Sequence, residues 1–174
     1  YEIRLSLVGS EMCIRDRTAL PSYAQNAVHY YFKTMDIRNG LSQNTVYQIL
    51  QDRKGFMWFG TKDGLNRYDG LSYRVYKKEN SGLGKNFITA LYEDHEGNIW
   101  IGTDGGVFIY NPVLDSFTAF NQTSDKGTVI KDFVTMIGSD EYDNIWISVE
   151  NQGLFCYNHE KRLRNYLHDS GMSN

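Results

Sequence analysis

Polar side chains recur in matching slots along this chain. Asn44 and Asn86 share one slot, and Lys62, Asp63 and Asp104 share a second. Glu150, Asn151 and Gln152 fill the second slot in a looser third copy, with Asp132 a little ahead of them. Amides and carboxylates at one level suit a hydroxyl-rich ligand, which needs many hydrogen bonds in both directions. The plainer alternative is a solvated rim of loops, with Asn44 and Asn86 capping turns.

Catalytic chemistry finds less support. His29, His95, His159 and His168 show no metal-ligand spacing, and the carboxylates form no calcium loop. Gly102 to Gly106 (GTDGG) is glycine-rich but joins two strand patterns rather than opening a helix, so it is not a phosphate loop. Cys156 sits in a strand pattern beside Phe155 and Tyr157 and reads as a buried, inert thiol. Cys13 offers it no disulfide framework. We therefore expect no catalytic residue, no metal and no cofactor in this stretch.

Composition narrows the class further. The chain has 174 residues, 41% of them hydrophobic and 22% charged, with a formal net charge of −3. That balance argues against nucleic acid as a partner, because phosphate binding needs a concentrated basic surface. No apolar run is long enough to span a bilayer.

The elements that must position these side chains follow from a repeat. All three tryptophans stand at the same place in it: Trp58 in GFMWFGTKDGLNRYDG, Trp100 in GNIWIGTDGGVFIYNP and Trp146 in DNIWISVENQGLFCYN. The spacing is 42 residues and then 46. Gly40, Asn44, Asp52, Gly60, Gly64 and Tyr68 recur at the first offset as Gly82, Asn86, Asp94, Gly102, Gly106 and Tyr110. In the third copy Asp140 and Trp146 hold their places, while Ser148 replaces the glycine. Such a period with a repeated Trp motif marks a β-propeller, in which each repeat is one small antiparallel sheet.

Within the first repeat, 45–51, 56–61, 65–68 and 73–78 read as four strands from the inside outward. Asp52 to Gly55 fits a type I turn, and Asp69-Gly70 is a strong hairpin signal. Trp58, Trp100 and Trp146 are expected to pack between blade faces rather than to stack on ligand. Gly60 and Gly102, on the same face, would let a neighbour approach closely.

The predicted fold is all-β: a β-propeller fragment of about three four-stranded antiparallel blades. Blade 1 is placed at 40–80, blade 2 at 81–122 and blade 3 at 123–168, with a fourth begun at 169–174. The stretch His29 to Met35 resembles an outermost strand, so 25–39 is expected to supply the strand that closes the ring. Connections from outermost to innermost strand, and from second to third, share one face; that face carries the recurring polar residues. A piece of such a ring, taken alone, is expected to expose strand edges.

Two segments stand apart from the fold. Ser6 to Arg17 (SLVGSEMCIRDR) reads as a translated sequencing-adapter end, so residues 1–17 are expected to be an artefact. Residues 18–24, ending in Ser22-Tyr23-Ala24, read as the remnant of a secretory signal peptide.

Gly40 to Gly70 (GLSQNTVYQILQDRKGFMWFGTKDGLNRYDG) resembles the two-component regulator propeller repeat. The likeness runs from Tyr30 to the C-terminus and weakens in the third copy. It is similar to the first blades of the periplasmic sensors of hybrid two-component systems. The resemblance implies a ligand-sensing propeller that detects oligosaccharides or another small extracellular ligand, in a parent that is a homodimer anchored in the inner membrane. Further blades, a histidine kinase core, a receiver and a DNA-binding output domain would lie elsewhere in that parent. The present stretch would then be a periplasmic, non-enzymatic part. A propeller lyase or hydrolase would need clustered acid, base or metal residues, which this portion lacks. A protein-binding scaffold of WD40 type fits poorly, because here the Trp precedes Gly-Thr in the second strand.

Overall fold

The computed structural model describes residues 32–166. Twelve strands form three antiparallel sheets of four, each in simple sequence order. The first holds β1 (Val46–Gln51), β2 (Met57–Thr61), β3 (Gly64–Tyr68) and β4 (Tyr73–Tyr76). The second holds β5 (Ile88–Glu93), β6 (Ile99–Thr103), β7 (Gly106–Asn111) and β8 (Ser116–Ala119). The third holds β9 (Val134–Ser139), β10 (Ile145–Val149), β11 (Gly153–Tyr157) and β12 (Leu163–Tyr166). A one-turn 3-10 helix, Ile37–Asn39, precedes β1; Asp36 caps it by accepting the Arg38 N–H at 2.9 Å.

The sequence expectation placed the outer strand of the first sheet at 73–78, but β4 ends at Tyr76. Lys77 is drawn into a turn instead. Its carbonyl accepts the Asn80 N–H at 3.1 Å, and its N–H donates to Asn80 Oδ1 at 2.8 Å. Of the stretch 25–39 expected to close the ring, residues 32–39 are described, and they lie in no strand; its last three form the 3-10 helix. The adapter-like segment, the signal remnant and the start of a fourth repeat lie outside the described residues.

Each innermost strand carries the same irregularity. The register slips between Val46 and Gln48 in β1, between Ile88 and Ala90 in β5, and opposite Ser148 and Val149 in β9. The extra residues are Tyr47, Thr89 and Thr135, one per repeat. A bulge bends the strand and re-aims the side chains around it, so each innermost strand enters its sheet along the same path.

The sheets pack face to face. Trp58, Leu65, Tyr76, Ile88, Ile101, Phe108 and Tyr110 share one buried cluster between the first and second sheets. Trp100, Val107, Phe120, Val134, Ile147 and Phe155 share another between the second and third. Trp58 is fully buried and Trp100 is 3% exposed. Trp146, with no following sheet among the described residues, is half-buried.

The glycines two residues beyond the first two tryptophans explain how closely the sheets approach. A Cβ on Gly60 would lie 2.8 Å from Ile88 Cγ2, and one on Gly102 would lie 2.7 Å from Val134 Cγ1. The first β-branched residue of each following innermost strand thus seats in the space that glycine leaves. The same Cβ on Gly102 would also lie 2.9 Å from Ala90 Cβ within its own sheet, so an added methyl is trapped on two sides. Gly102→Val in the intact protein is expected to lower stability by roughly 1–3 kcal/mol through overpacking. A urea midpoint equal to wild type would refute this.

Candidate functional site

The recurring polar residues lie on the connections from outermost to innermost strand and from second to third strand. Backbone hydrogen bonds bring these connections together: Gly64 N–H donates to the Asn86 carbonyl at 2.8 Å, and Glu150 N–H donates to the Phe133 carbonyl at 2.8 Å. Lys62 and Asp63 (between β2 and β3), Asn86 (before β5) and Asp104 (between β6 and β7) thereby belong to one rim. Asp132, Glu150, Asn151 and Gln152 continue it at the third sheet.

Several of these side chains are occupied by the fold. Asn44 Oδ1 accepts the Ile37 N–H at 2.9 Å, and Asn86 Oδ1 accepts the Lys78 N–H at 2.8 Å. Gln152 Oε1 accepts the Lys131 and Asp132 N–H groups at 3.1 and 3.2 Å, while its Nε2 donates to the Val129 carbonyl at 3.0 Å. The residue inserted into the third repeat therefore pins the preceding connection. Asp132 Oδ1 accepts the Phe133 N–H at 2.8 Å, with Asn151 Nδ2 3.5 Å from its other oxygen. Asp63 is neutralised by Lys77 at 2.7 Å. Lys62, Asp104 and Glu150 are exposed.

Sequence reasoning missed the aromatic side chains at this rim. Tyr47 in β1, Phe87 just before β5 and Phe133 just before β9 form an edge-to-face ladder, with ring centroids 4.9 and 5.6 Å apart. The Lys62 ammonium stands 5.7 Å from the centre of the Phe87 ring. Phe87 and Phe133 do correspond across the second spacing, but Thr45 breaks the column in the first repeat. Lys78 and Lys85 join Lys62 around Phe87 and were missed as well.

The opposite rim holds a second crevice of about 410 Å³, lined in part by Arg53, Phe56, Arg67, Glu93 and Tyr110. Its polar groups are spent on one another. Arg67 Nη1 donates to the Tyr110 hydroxyl at 2.6 Å, and its guanidinium lies 4.9 Å from the Phe56 ring centre. The Tyr76 and Tyr110 hydroxyls donate to Asp115 Oδ1 at 2.6 and 2.7 Å, and Arg74 pairs with the other carboxylate oxygen. Burial pushes the Asp115 carboxyl up, but the two hydroxyls and the Arg74 and Arg67 charges outweigh it and hold it below its ordinary value. This network ties the first sheet to the second.

Asp140 has a lowered value too. Hydrogen bonds from Asn144 and from the Trp146 indole hold it at about 2, against an ordinary 3.8. Carboxylates depressed by folding contribute stability above their unfolded pKa and lose it as pH falls through the folded one. The acid limb of the stability profile is therefore expected to begin near pH 4 and run down to about pH 2. Asp140→Asn should flatten part of that slope in urea midpoints measured across pH; an unchanged slope would refute the assignment.

Among the described residues no three His, Cys, Asp or Glu side chains converge as a metal site requires. His95 is exposed at a turn, with Nδ1 3.7 Å from Asp143 Oδ1. Cys156 is 7% exposed, and burial pushes its thiol up, away from reactivity.

Four-stranded sheets in sequence order, packed through Trp and Gly at a fixed period, are blades of a β-propeller. Two of the repeats, residues 40–63 and 82–105, match the two-component regulator propeller family, and the chain carries the repeat of that family.

Over 59 residues, 34% of its length, the chain is 42% identical to histidine kinase P4 of Formosa agariphila. It superposes on the extracellular domain of the hybrid two-component system BT3049 of B. thetaiotaomicron with a TM-score of 0.69, at 28% identity over 79% of the chain. The extracellular domain of BT4673 from the same organism gives 0.70 at 28% identity over 80%. PorZ of Porphyromonas gingivalis, at 16% identity and a TM-score of 0.59, shares the fold alone. The chain spans 4% of the kinase's length, and 20% and 22% of the two extracellular domains.

Proposed function

We propose that this chain is the opening part of a periplasmic ligand-sensing propeller in a hybrid two-component sensor kinase, and that the propeller detects oligosaccharides. The observation that carries this reading is the agreement, over 79% of the chain, with the extracellular domain of a hybrid two-component system. The exposed Lys62, Asp104 and Glu150 beside the aromatic ladder of this rim support a sugar as the ligand, because sugars present hydroxyls and apolar ring faces together. The stretch itself binds and transmits; phosphotransfer belongs to other domains of a homodimeric parent, anchored in the inner membrane.

A thermal-shift screen of the intact extracellular region against an oligosaccharide panel tests this. A ligand at a hundred times its Kd adds about 2.7 kcal/mol to the folded state, enough to raise Tm measurably. Failure of every oligosaccharide to shift Tm, at concentrations where a non-sugar ligand does, would sink the reading.

A further inference from the structure

We propose that the crevice around Phe87, between the first and second blades, holds the anionic group of a negatively charged sugar unit, a carboxylate or a sulfate ester. This rests on the oligosaccharide-sensing reading and sharpens it to acidic saccharides. The crevice measures about 410 Å³, and Lys62, Lys78, Lys85, Asn86, Phe87 and Asp104 line it. Three lysines and one aspartate stand around this space, in a chain whose formal net charge is −3.

The lysines come from separate segments: Lys62 from the β2–β3 turn, Lys78 and Lys85 from the connection between β4 and β5. Among the described residues no carboxylate lies within ion-pair distance of Lys62 or Lys85, and Lys78 meets only its neighbour Glu79, at 3.7 Å. Lys77, by contrast, is spent on Asp63. Lys62 is held by a ring rather than by an acid: its ammonium sits 5.7 Å from the Phe87 ring centre. A cation placed that way is oriented while keeping its charge for a ligand.

Lys85 is also given a path. An added Cβ on Gly105 would lie 2.5 Å from Lys85 Cε, so the bare glycine leaves room for the lysine stem across the β6–β7 turn. Gly105 stands where the first repeat has Asp63. The second repeat therefore exchanges a carboxylate for an opening that a lysine fills. The Asn86 Nδ2, whose Oδ1 is taken by the Lys78 N–H, and the half-buried Phe87 ring remain to meet a hydroxyl and the apolar ring of the same sugar.

The test is calorimetric titration of the intact extracellular region with three probes: galacturonate oligomers, sulfated chondroitin oligomers and neutral cello-oligomers. Inorganic sulfate is titrated separately. At least one acidic probe should bind, with affinity falling as salt rises. Lys62→Ala/Lys85→Ala should weaken it by about tenfold or more, as expected for losing charge-assisted bonds. Lys62→Arg in place of alanine should restore much of the loss, and unchanged Tm values will show that the variants fold. The uronate and sulfate arms tell the two anions apart. Binding of neutral oligomers alone overturns this inference and leaves oligosaccharide sensing intact. Acidic binding that the double variant does not weaken overturns it too, as does inorganic sulfate binding as tightly as the oligomer. Silence from all three oligomers, while a non-sugar ligand binds, overturns the sensing reading as well.

Discussion

Trp58→Ala in the intact protein is expected to cost roughly 3–5 kcal/mol, the range for emptying a large buried aromatic site. Trp58 is fully buried and lies against Tyr76 and Tyr110, with ring centroids 6.0 and 5.0 Å away. Tyr76 belongs to its own blade and Tyr110 to the next, so the loss falls on a blade interface as well as on a blade. The surrounding rings are held by the Asp115 network, which limits how far they can collapse into the cavity. Trp146→Ala should cost less, because that ring is half-buried. The comparison is made by chemical denaturation of both variants. A Trp58→Ala loss below about 1 kcal/mol, or equal losses at the two positions, would contradict this packing role.

Asp52→Ala should be the second most damaging change. Asp52 is only 7% exposed, and its carboxylate accepts three hydrogen bonds. Oδ1 takes the Lys54 and Phe56 N–H groups at 3.0 and 2.9 Å, and Oδ2 takes the Trp58 indole N–H at 2.8 Å. Removing it orphans the buried indole donor and loosens the turn that aims β2. An unsatisfied buried donor alone costs about 1–3 kcal/mol. Trp58→Phe should recover part of the loss when combined with Asp52→Ala, since the orphaned donor is then gone. Strict additivity of the two changes in a double-mutant cycle would argue against the coupling.

The same bond recurs: Trp100 and Trp146 donate to Asp94 and Asp140 at 2.8 and 2.9 Å. Both partners of each pair were visible in the sequence, the Asp as a turn residue and the Trp as packing. Their union was not, because the hydrogen bond closes only once the turn folds the second strand back. The strands were legible because Trp, Gly and turn residues recur together at one period. Gly60 and Gly102 could be read as close approaches, but Ile88 and Val134 could not be named as what approaches. Across the blades, Arg67 and Asp115 are far apart in the chain and belong to no shared motif, so their network had no local signal.

At the candidate site the limits are similar. Loop polarity was readable and its use was not. Asn44, Asn86 and Gln152 hold the loops, and Asp63 is spent on Lys77. Lys85 and Phe87 gained their place only when the connection before β5 folded against Gly105 and Lys62. A lysine in a loop is ordinarily just solvated, and only convergence on one crevice distinguishes these.

The seat that Gly60 gives Ile88, and Gly102 gives Val134, has a direction. The first and second blades each offer a socket, and the second and third each bring a plug, so adjoining blades join head to tail rather than as mirror partners. Such a joint can be copied indefinitely by duplicating one repeat, since each copy brings both halves of the fit. The joint itself sets no limit on how many copies follow; that number is governed by the angle each adds and by when the turn around the axis closes. Cohesion is likewise passed only between adjacent copies, so a ligand wedged at one seam would first be felt by the two blades that share it.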